Sequence, residues 1–406
     1  MVAFAGARDG YQLPLALSEA DLLEALVTDM YWPSDKRWFN TSLGKVIPAH
    51  FVRSRFCTGL DSGNVRVSAG AWALSVFGKV APRLGLNLYG DRILSRKAKL
   101  ISLRKAAAMF CCSYYAYEAF RQVDERPRHR FLFQLHPHPK SVHNILVEEM
   151  KRTRVGEFSL KAEPDVALPK KNFDELSSEP HLANGWVVAS TFTAQTLSEH
   201  GIPSEQIHVV PYGVDGGAFE ERLRPPPIEK PFTIIFVGSL VQRKGLSYLL
   251  DAVRIISSRT VRVILCGRGI LDRGLIESYS DLNIEVNVGL GRVELVRQIH
   301  EADVFVLPSL AEGFGHVVLE ALACGVPVIA TPHTCAPDVI ADGVHGFVVP
   351  IRDPEAIAER LSWGVDNRAE LAAMGEAAAA QARRFTWERF RVGVRKAYKE
   401  MLACAP

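Results

Sequence analysis

The sequence predicts an α/β protein of two domains, each built on a parallel sheet wrapped by helices. Three observations carry this expectation. Short apolar runs alternate with amphipathic, helix-like segments along the chain, the pattern of parallel strands joined by crossover helices. The runs fall into two sets separated by "ERLRPPPIEKP", residues 221–231, whose consecutive prolines continue neither a helix nor a central strand and favour a stiff, extended connection. At 406 residues, each half has enough chain for a core of its own.

Taken in order, "MVAFAG" reads as the first strand and "AGARDGYQLP" as the loop after it. "AMFCCSYY", "RFLFQLH", "GWVVAS" and "IHVVPYG" complete the first set, while residues 31–107 give the weakest pattern. The second set is "FTIIFVGS", "VRVILCG", "IEVNVG", "VFVLPS", "VPVIAT" and "GFVVPI". The closing segment "FTWERFRVGVRKAYKEML" is a basic amphipathic helix with no strand after it. No repeat or low-complexity tract is present.

Composition narrows the classes. Hydrophobic and charged fractions of 48% and 23% describe a globular protein. The N-terminus lacks the charged and long apolar regions of a signal peptide, and Lys79 and Arg83 interrupt the most apolar long stretch, so neither a leader nor a membrane span is expected. Seven cysteines without a C-x-x-C pair suggest reduced thiols in a cytoplasmic protein. The net charge of +3 hides an asymmetry: residues 1–171 hold 26 Lys and Arg against 16 Asp and Glu. Much of this excess lies in residues 45–105, where "DRILSRKAKLISLRKAA" mixes cations with Ile93, Leu94, Leu100, Ile101 and Leu103. That segment suits peripheral docking on an anionic membrane at the inner face of the cell, a solvated helix covering the sheet, or a site for an acidic polysaccharide. Few aromatics accompany it, which disfavours nucleic acid.

The most informative stretch is "VFVLPSLAEGFGHVVLEALACGVPVIAT". A buried strand ends at Pro308 and Ser309, a glycine-bearing loop follows, and a helix runs from about Gly315 to Cys324, where Gly325 precedes Pro327. Amides at such a helix start favour a phosphate or sugar oxygen. Glu312 and Glu320 lie at most about 12 Å apart at ~1.5 Å rise per residue, comparable with the span from a hexose to a ribose across a diphosphate. A carboxylate accepts two adjacent hydroxyl hydrogen bonds, which vicinal diols offer. A solvated loop acid at Glu312 and a dipole-favoured acid at Glu320 are the plainer alternatives.

With "FVGSLVQRKGLSYLLDAV", "VILCGRG", "VNVGLG", "ADVFVLPS" and "DGVHGFVVP" in order, and E-x7-E in "EGFG…LEALACGVPVIAT", the chain resembles glycosyltransferase family 4, the retaining GT-B enzymes, over residues 186–390. The resemblance implies two Rossmann-like domains facing across a cleft: residues 1–221 on the acceptor side, 222–385 on the nucleotide-sugar side, and a helix at 386–406 crossing back. It implies a metal-independent hexosyl transfer from a UDP- or GDP-linked sugar to a hydroxyl of a saccharide or lipid-linked glycan, with retention, no further cofactor, and a place in polysaccharide or glycolipid biosynthesis. Glu312 would bind donor-sugar hydroxyls and Glu320 the ribose, with Gly313 and the amides of Phe314 and Gly315 facing the phosphates or sugar. Lys244 matches the family's phosphate-clamping lysine, whereas Ser239, next to Gly238, stands where the family has an arginine. Arg243 would reach the diphosphate in its place or be an exposed loop charge. His136, at the end of "RFLFQLH", matches a histidine that touches the donor sugar, with His138 as runner-up and a structural turn histidine as the alternative. Arg268 would contact base or phosphate or else be a plainly exposed charge, Val288 and Gly289 resemble the segment facing the base, and Gly10 would allow close approach of the first loop. A silent nucleotide-sugar-binding scaffold and a nucleotide-sugar epimerase or hydrolase are the rival expectations. No histidine and cysteine spacing suggests a metal site; prolines separate His136, His138 and His143.

Overall fold

The structure, a computed structural model, describes residues 1–32, 55–80, 86–105, 107–121, 128–219, 229–256 and 260–404. The expected boundary at residues 221 and 222 lies outside them, as do residues 45–54 and 81–85 of the basic segment.

Seven parallel strands form the first sheet: β1 (Val2–Ala3), β2 (Leu26–Thr28), β3 (Val65–Val67), β4 (Met109–Cys112), β5 (Arg130–Gln134), β6 (Gly185–Val188) and β7 (Ile207–Val209). Their order is β3-β2-β1-β4-β5-β6-β7. Six more, β8 (Phe232–Leu240), β9 (Val261–Leu271), β10 (Ile284–Val288), β11 (Val304–Leu307), β12 (Val328–Ala330) and β13 (Gly346–Val348), form a second parallel sheet in the order β10-β9-β8-β11-β12-β13. Counted from its own first strand, each sheet follows the doubly wound order in which direction reverses between the first and fourth strands and opens a crevice at their carboxyl ends. The central strands are apolar and buried on both faces, as helix-covered parallel strands must be. All six strands of the second set appear where expected; in the first set β2 and β3 are additions. β3 at the edge is partly exposed and carries Arg66, so it leaves no apolar run in the sequence, whereas β2 is buried.

The helix Trp387–Cys404 returns to the first domain. Phe390, Val394, Ala397, Tyr398 and Met401 fall on one face and are buried, with Tyr398 edge-on to Phe131 at 5.5 Å. Arg391 and Arg395 reach Glu19 at 2.8 and 2.6 Å.

The two domains meet through buried polar contacts. Glu149, on the helix Pro139–Arg152 of the first domain, is fully buried and accepts hydrogen bonds from three side chains of the second: Gln242 Nε2, Tyr248 Oη and Arg352 Nε, each at 2.8 Å. Ser159 Oγ accepts from Gln242 N at 3.1 Å, and Asp272 accepts from Ser159 N at 3.2 Å.

In the basic segment, the helix Leu86–Lys105 turns Leu94 and Ala98 inward and leaves Ile93 and Leu100 exposed. Several of its cations serve the first domain itself: Arg92 pairs with Glu175 at 2.5 Å, Arg96 with Glu118 at 3.3 Å and Lys105 with Glu24 at 3.0 Å. None of the seven cysteines is joined in a disulfide, and five of them are buried. Among the described residues no helix is long and apolar enough to cross a membrane.

Candidate active site

The site forms where the crevice of the second sheet faces the first domain. After β8, a turn at Gln242–Lys244 leads through Gly245, in the left-handed region at φ 70°, into the helix Leu246–Ile255. A Cβ at Gly245 would lie 1.9 Å from the Pro308 carbonyl oxygen, so glycine alone lets this turn sit against the end of β11. Beyond β11, Glu312 leads to Gly313, where a Cβ would lie 1.9 Å from the Leu135 carbonyl oxygen of the first domain. Ser190 Oγ and Thr193 Oγ1 donate to the Gly313 carbonyl at 2.7 and 3.0 Å, docking the loop. Gly315 then caps the helix His316–Ala323. Among the described residues no protein acceptor takes the amide hydrogens of Phe314 and Gly315.

Arg8, Asp9, His136, Lys244, Glu312, Gly313, Phe314, Gly315 and His316 line a cleft of about 270 Å³. Val237, Gly238 and Val317 are shared with an adjoining cavity of about 310 Å³ lined by Ser239, Arg268, Leu290, Arg292 and Glu320. The two glutamates of the E-x7-E segment thus sit in the two halves of one continuous cleft.

Glu312 Oε1 is crowded. Lys244 Nζ pairs with it, Ser309 Oγ donates to it at 3.1 Å, and Arg243 Nη1 stands 3.7 Å away. Oε2 takes no hydrogen bond among the described residues. Burial pushes the Glu312 carboxyl up, but the charges of Lys244 and Arg243 and the Ser309 bond outweigh it, and its pKa lies below the ordinary value. Burial lowers the Lys244 pKa against the pull of Glu312. In Glu320, burial raises the carboxyl against the weaker pull of His316, Arg292 and Arg268, and no donor among the described residues engages it.

Arg243 corrects both expectations for it. Its Nε pairs with Glu163 of the first domain at 2.9 Å and its Nη1 donates to the Ala311 carbonyl at 2.8 Å. It is therefore neither exposed nor in the cleft wall; it stands behind Lys244 and ties the two domains. His136 is exposed to the cleft and stands edge-on to Tyr114 at 5.5 Å. Burial, joined by the charges of Arg8 and Arg243, lowers its pKa to about 4. His138, by contrast, is buried, accepts from Lys140 N at 3.2 Å as the cap of the helix Pro139–Arg152, and stacks on His200 at 3.9 Å. His143 turns to the Asp165 carbonyl at 2.7 Å, so the three histidines face different neighbours.

Three further positions shift. Gly289 donates its amide to Gly267 O at 2.9 Å and Val288 is 55% exposed; it is the next residue, Leu290, that lines the cavity. Gly10 lies in the first loop, but Arg8 and Asp9 form the wall. Arg268 lines the cavity while donating to the Leu290 carbonyl at 2.7 Å. Arg8, Asp9, Tyr212 and His316 were missed as site residues. All four lie in segments that were singled out, but a loop has no periodicity to tell which side chain turns inward.

The lowered pKa gives a prediction. The unfolded chain binds a proton at His136 near pH 6.5 and the folded chain only near pH 4, so within that window unfolding takes up a proton. The stability tied to neutral His136 is complete above about pH 6.5 and is lost as pH falls toward 4. An NMR titration showing a His136 midpoint below 5 is expected; a midpoint of 6 or higher contradicts the electrostatics described.

Two doubly wound domains facing across such a cleft, with the last helix crossing back, are the GT-B architecture. The fold superposes on sucrose-phosphate synthase from Thermosynechococcus elongatus with a TM-score of 0.64 and 18% identity, over 97% of this chain and 92% of that one. It likewise superposes on Anabaena HepE in complex with UDP, with a TM-score of 0.60 and 15% identity over 98% and 99% of the two chains. Residues 219–381 match the family model described as "Glycosyl transferases group 1". Among curated relatives, the amylovoran biosynthesis glycosyltransferase AmsK of Erwinia amylovora is 30% identical over 210 residues, 48% of this chain and 51% of AmsK. The chain spans about half the length of the curated relatives it matches.

Proposed function

We propose that this protein transfers a hexosyl group, with retention, from a nucleotide sugar to a hydroxyl of a saccharide or lipid-linked glycan. The observation that carries this reading is Glu312. One of its oxygens is fixed by Lys244 and Ser309, and the other is left without a partner in a cleft continuous with the cavity of Glu320. Glu312 Oε2 accepts donor-sugar hydroxyls, Glu320 accepts ribose hydroxyls, and the Phe314 and Gly315 amides face the phosphates. UDP is the favoured nucleotide, GDP the second; HepE has been solved with UDP and with UDP-glucose, and AmsK is named for amylovoran biosynthesis.

In the reaction, the acceptor oxygen bonds to the anomeric carbon as the bond from that carbon to the diphosphate oxygen breaks. The electron pair leaves on the diphosphate, and a phosphate oxygen on the same face takes the acceptor's proton. Lys244 offsets the charge growing on the leaving group, a role fixed cations fill without a metal. Neutral His136 exchanges hydrogen bonds with the sugar. The first domain takes the acceptor, and the exposed Ile93 and Leu100 of its basic helix supply peripheral membrane contact where that acceptor is lipid-linked.

The test is nucleoside diphosphate release from a panel of nucleotide sugars, with and without cell-envelope extract and with and without chelator. Acceptor-dependent release, insensitive to chelator, is expected. Release independent of acceptor points to hydrolysis or epimerisation, and binding without turnover to a silent scaffold. In calorimetry, Lys244→Ala weakens nucleoside diphosphate binding about tenfold to a hundredfold, the worth of a bond to a charged group; unchanged affinity removes Lys244 from the site.

A further inference from the structure

We propose that Arg8, in the first domain, is the second cation of the diphosphate grip and supplies from across the cleft what Ser239 does not supply from the second domain. The inference rests on the reading that the cleft binds a nucleoside diphosphate.

In the half of the cleft that holds Glu312, the second domain's two cations, Lys244 and Arg243, are already engaged. Glu312 neutralises Lys244, while Glu163 and the Ala311 carbonyl hold Arg243 out of the cleft wall. A diphosphate entering there meets one cation of this pair, Lys244, whose charge Glu312 shares.

Arg8 lines the same cleft as Lys244, Glu312 and His136, and its field reaches His136. Its guanidinium lies 5.4 Å from the centre of the Tyr115 ring and donates to the Tyr115 hydroxyl at 3.3 Å. Nε is buried and has no hydrogen-bond partner, and no carboxylate among the described residues pairs with the side chain. Most of the five N–H donors of a guanidinium are thus unspent. A cation partly withdrawn from water without a counter-ion is costly, and an anion that fills its fork removes that cost. Neighbouring Asp9 does not serve as the counter-ion: it turns to Tyr212 and to His316, 3.7 Å away.

The loop is also fixed. Asp9, Gly10 and Tyr11 have φ of 47°, 60° and 64°, and buried Tyr11 hydrogen-bonds through its hydroxyl to Met30 O at 3.4 Å. Two non-glycine residues in the left-handed region persist only where the surroundings enforce them, which places Arg8 in a set position. Arg8 shares the half of the cleft that holds Glu312 and lies outside the half that holds Glu320. Its contact therefore falls on the phosphate nearer the sugar.

Calorimetry on the full chain with UDP, GDP, their monophosphates and the parent nucleosides tests this. With the diphosphate that wild type binds, Arg8→Gln is expected to lose about tenfold to a hundredfold in affinity, to lose less with the monophosphate, and to bind the nucleoside as wild type does. Arg8→Met, which keeps the stem over Tyr115, is held to the same criterion if Arg8→Gln does not fold. Equal diphosphate affinity in wild type and variant overturns the assignment and leaves the proposed function standing, as does an equal loss for the nucleoside. Failure of wild type to bind any diphosphate overturns both.

Discussion

Glu312→Gln is expected to lower turnover by about 10² to 10³, the usual cost of removing one preorganised electrostatic contact to a transition state, while the protein still folds. The substitution keeps the shape of the side chain and removes its charge. Lys244 loses its partner and, on the proposed reading, the donor sugar loses a charged acceptor, whereas Arg243 retains Glu163. The melting temperature falls as well, because Lys244 is nearly buried and a bond to a charged group is lost, about 1.5–3 kcal/mol. Single-turnover rates on the donor chosen by the panel, read beside a thermal melt, separate the two effects. Turnover within tenfold of wild type in a folded variant would mean that Glu312 does not hold the sugar.

The second large effect is on stability. Glu149→Ala is expected to cost about 1.5–3 kcal/mol, since it removes a fully buried carboxylate that accepts from three donors; Arg352 keeps Glu148 and the Ile145 carbonyl and Gln242 keeps Ser247, while Tyr248 loses its acceptor. Gln242, Tyr248 and Arg352 all come from the second domain, so the loss loosens the joint between domains more than either core. Gln242 also adjoins Arg243 and Lys244, and nucleotide affinity should fall with stability. Calorimetric scanning of wild type and variant reads both: one transition is expected in the first and two separated ones in the second. A shift worth less than 1 kcal/mol would show that the buried carboxylate contributes little.

How much of this was legible in the sequence depended on burial and on local spacing. The second sheet could be read strand by strand because each strand is an apolar run between helices. The helix at His316 was visible from the glycines at both of its ends; Glu320 lies within it and Glu312 in the loop before it. The edge strand β3 was hidden because it is partly exposed and sets Arg66 between Val65 and Val67. Arg243 was misjudged because its partner, Glu163, lies far away in sequence and in the other domain. Arg8 and His316 escaped for the same reason: each is placed by a turn whose shape depends on distant contacts.

The return of the last helix has a mechanical consequence. The backbone passes between lobes at two points, and the passages touch: Val214 N donates to Phe385 O at 2.9 Å, and Gly213 packs so tightly on Trp387 that a Cβ would lie 2.3 Å from its nitrogen. A single tether would let one lobe swivel freely, whereas two bonded side by side permit bending about their common line and resist twist. Opening to admit a donor and shutting over it would then follow one track, returning Arg8 and Lys244 to the same facing positions each cycle.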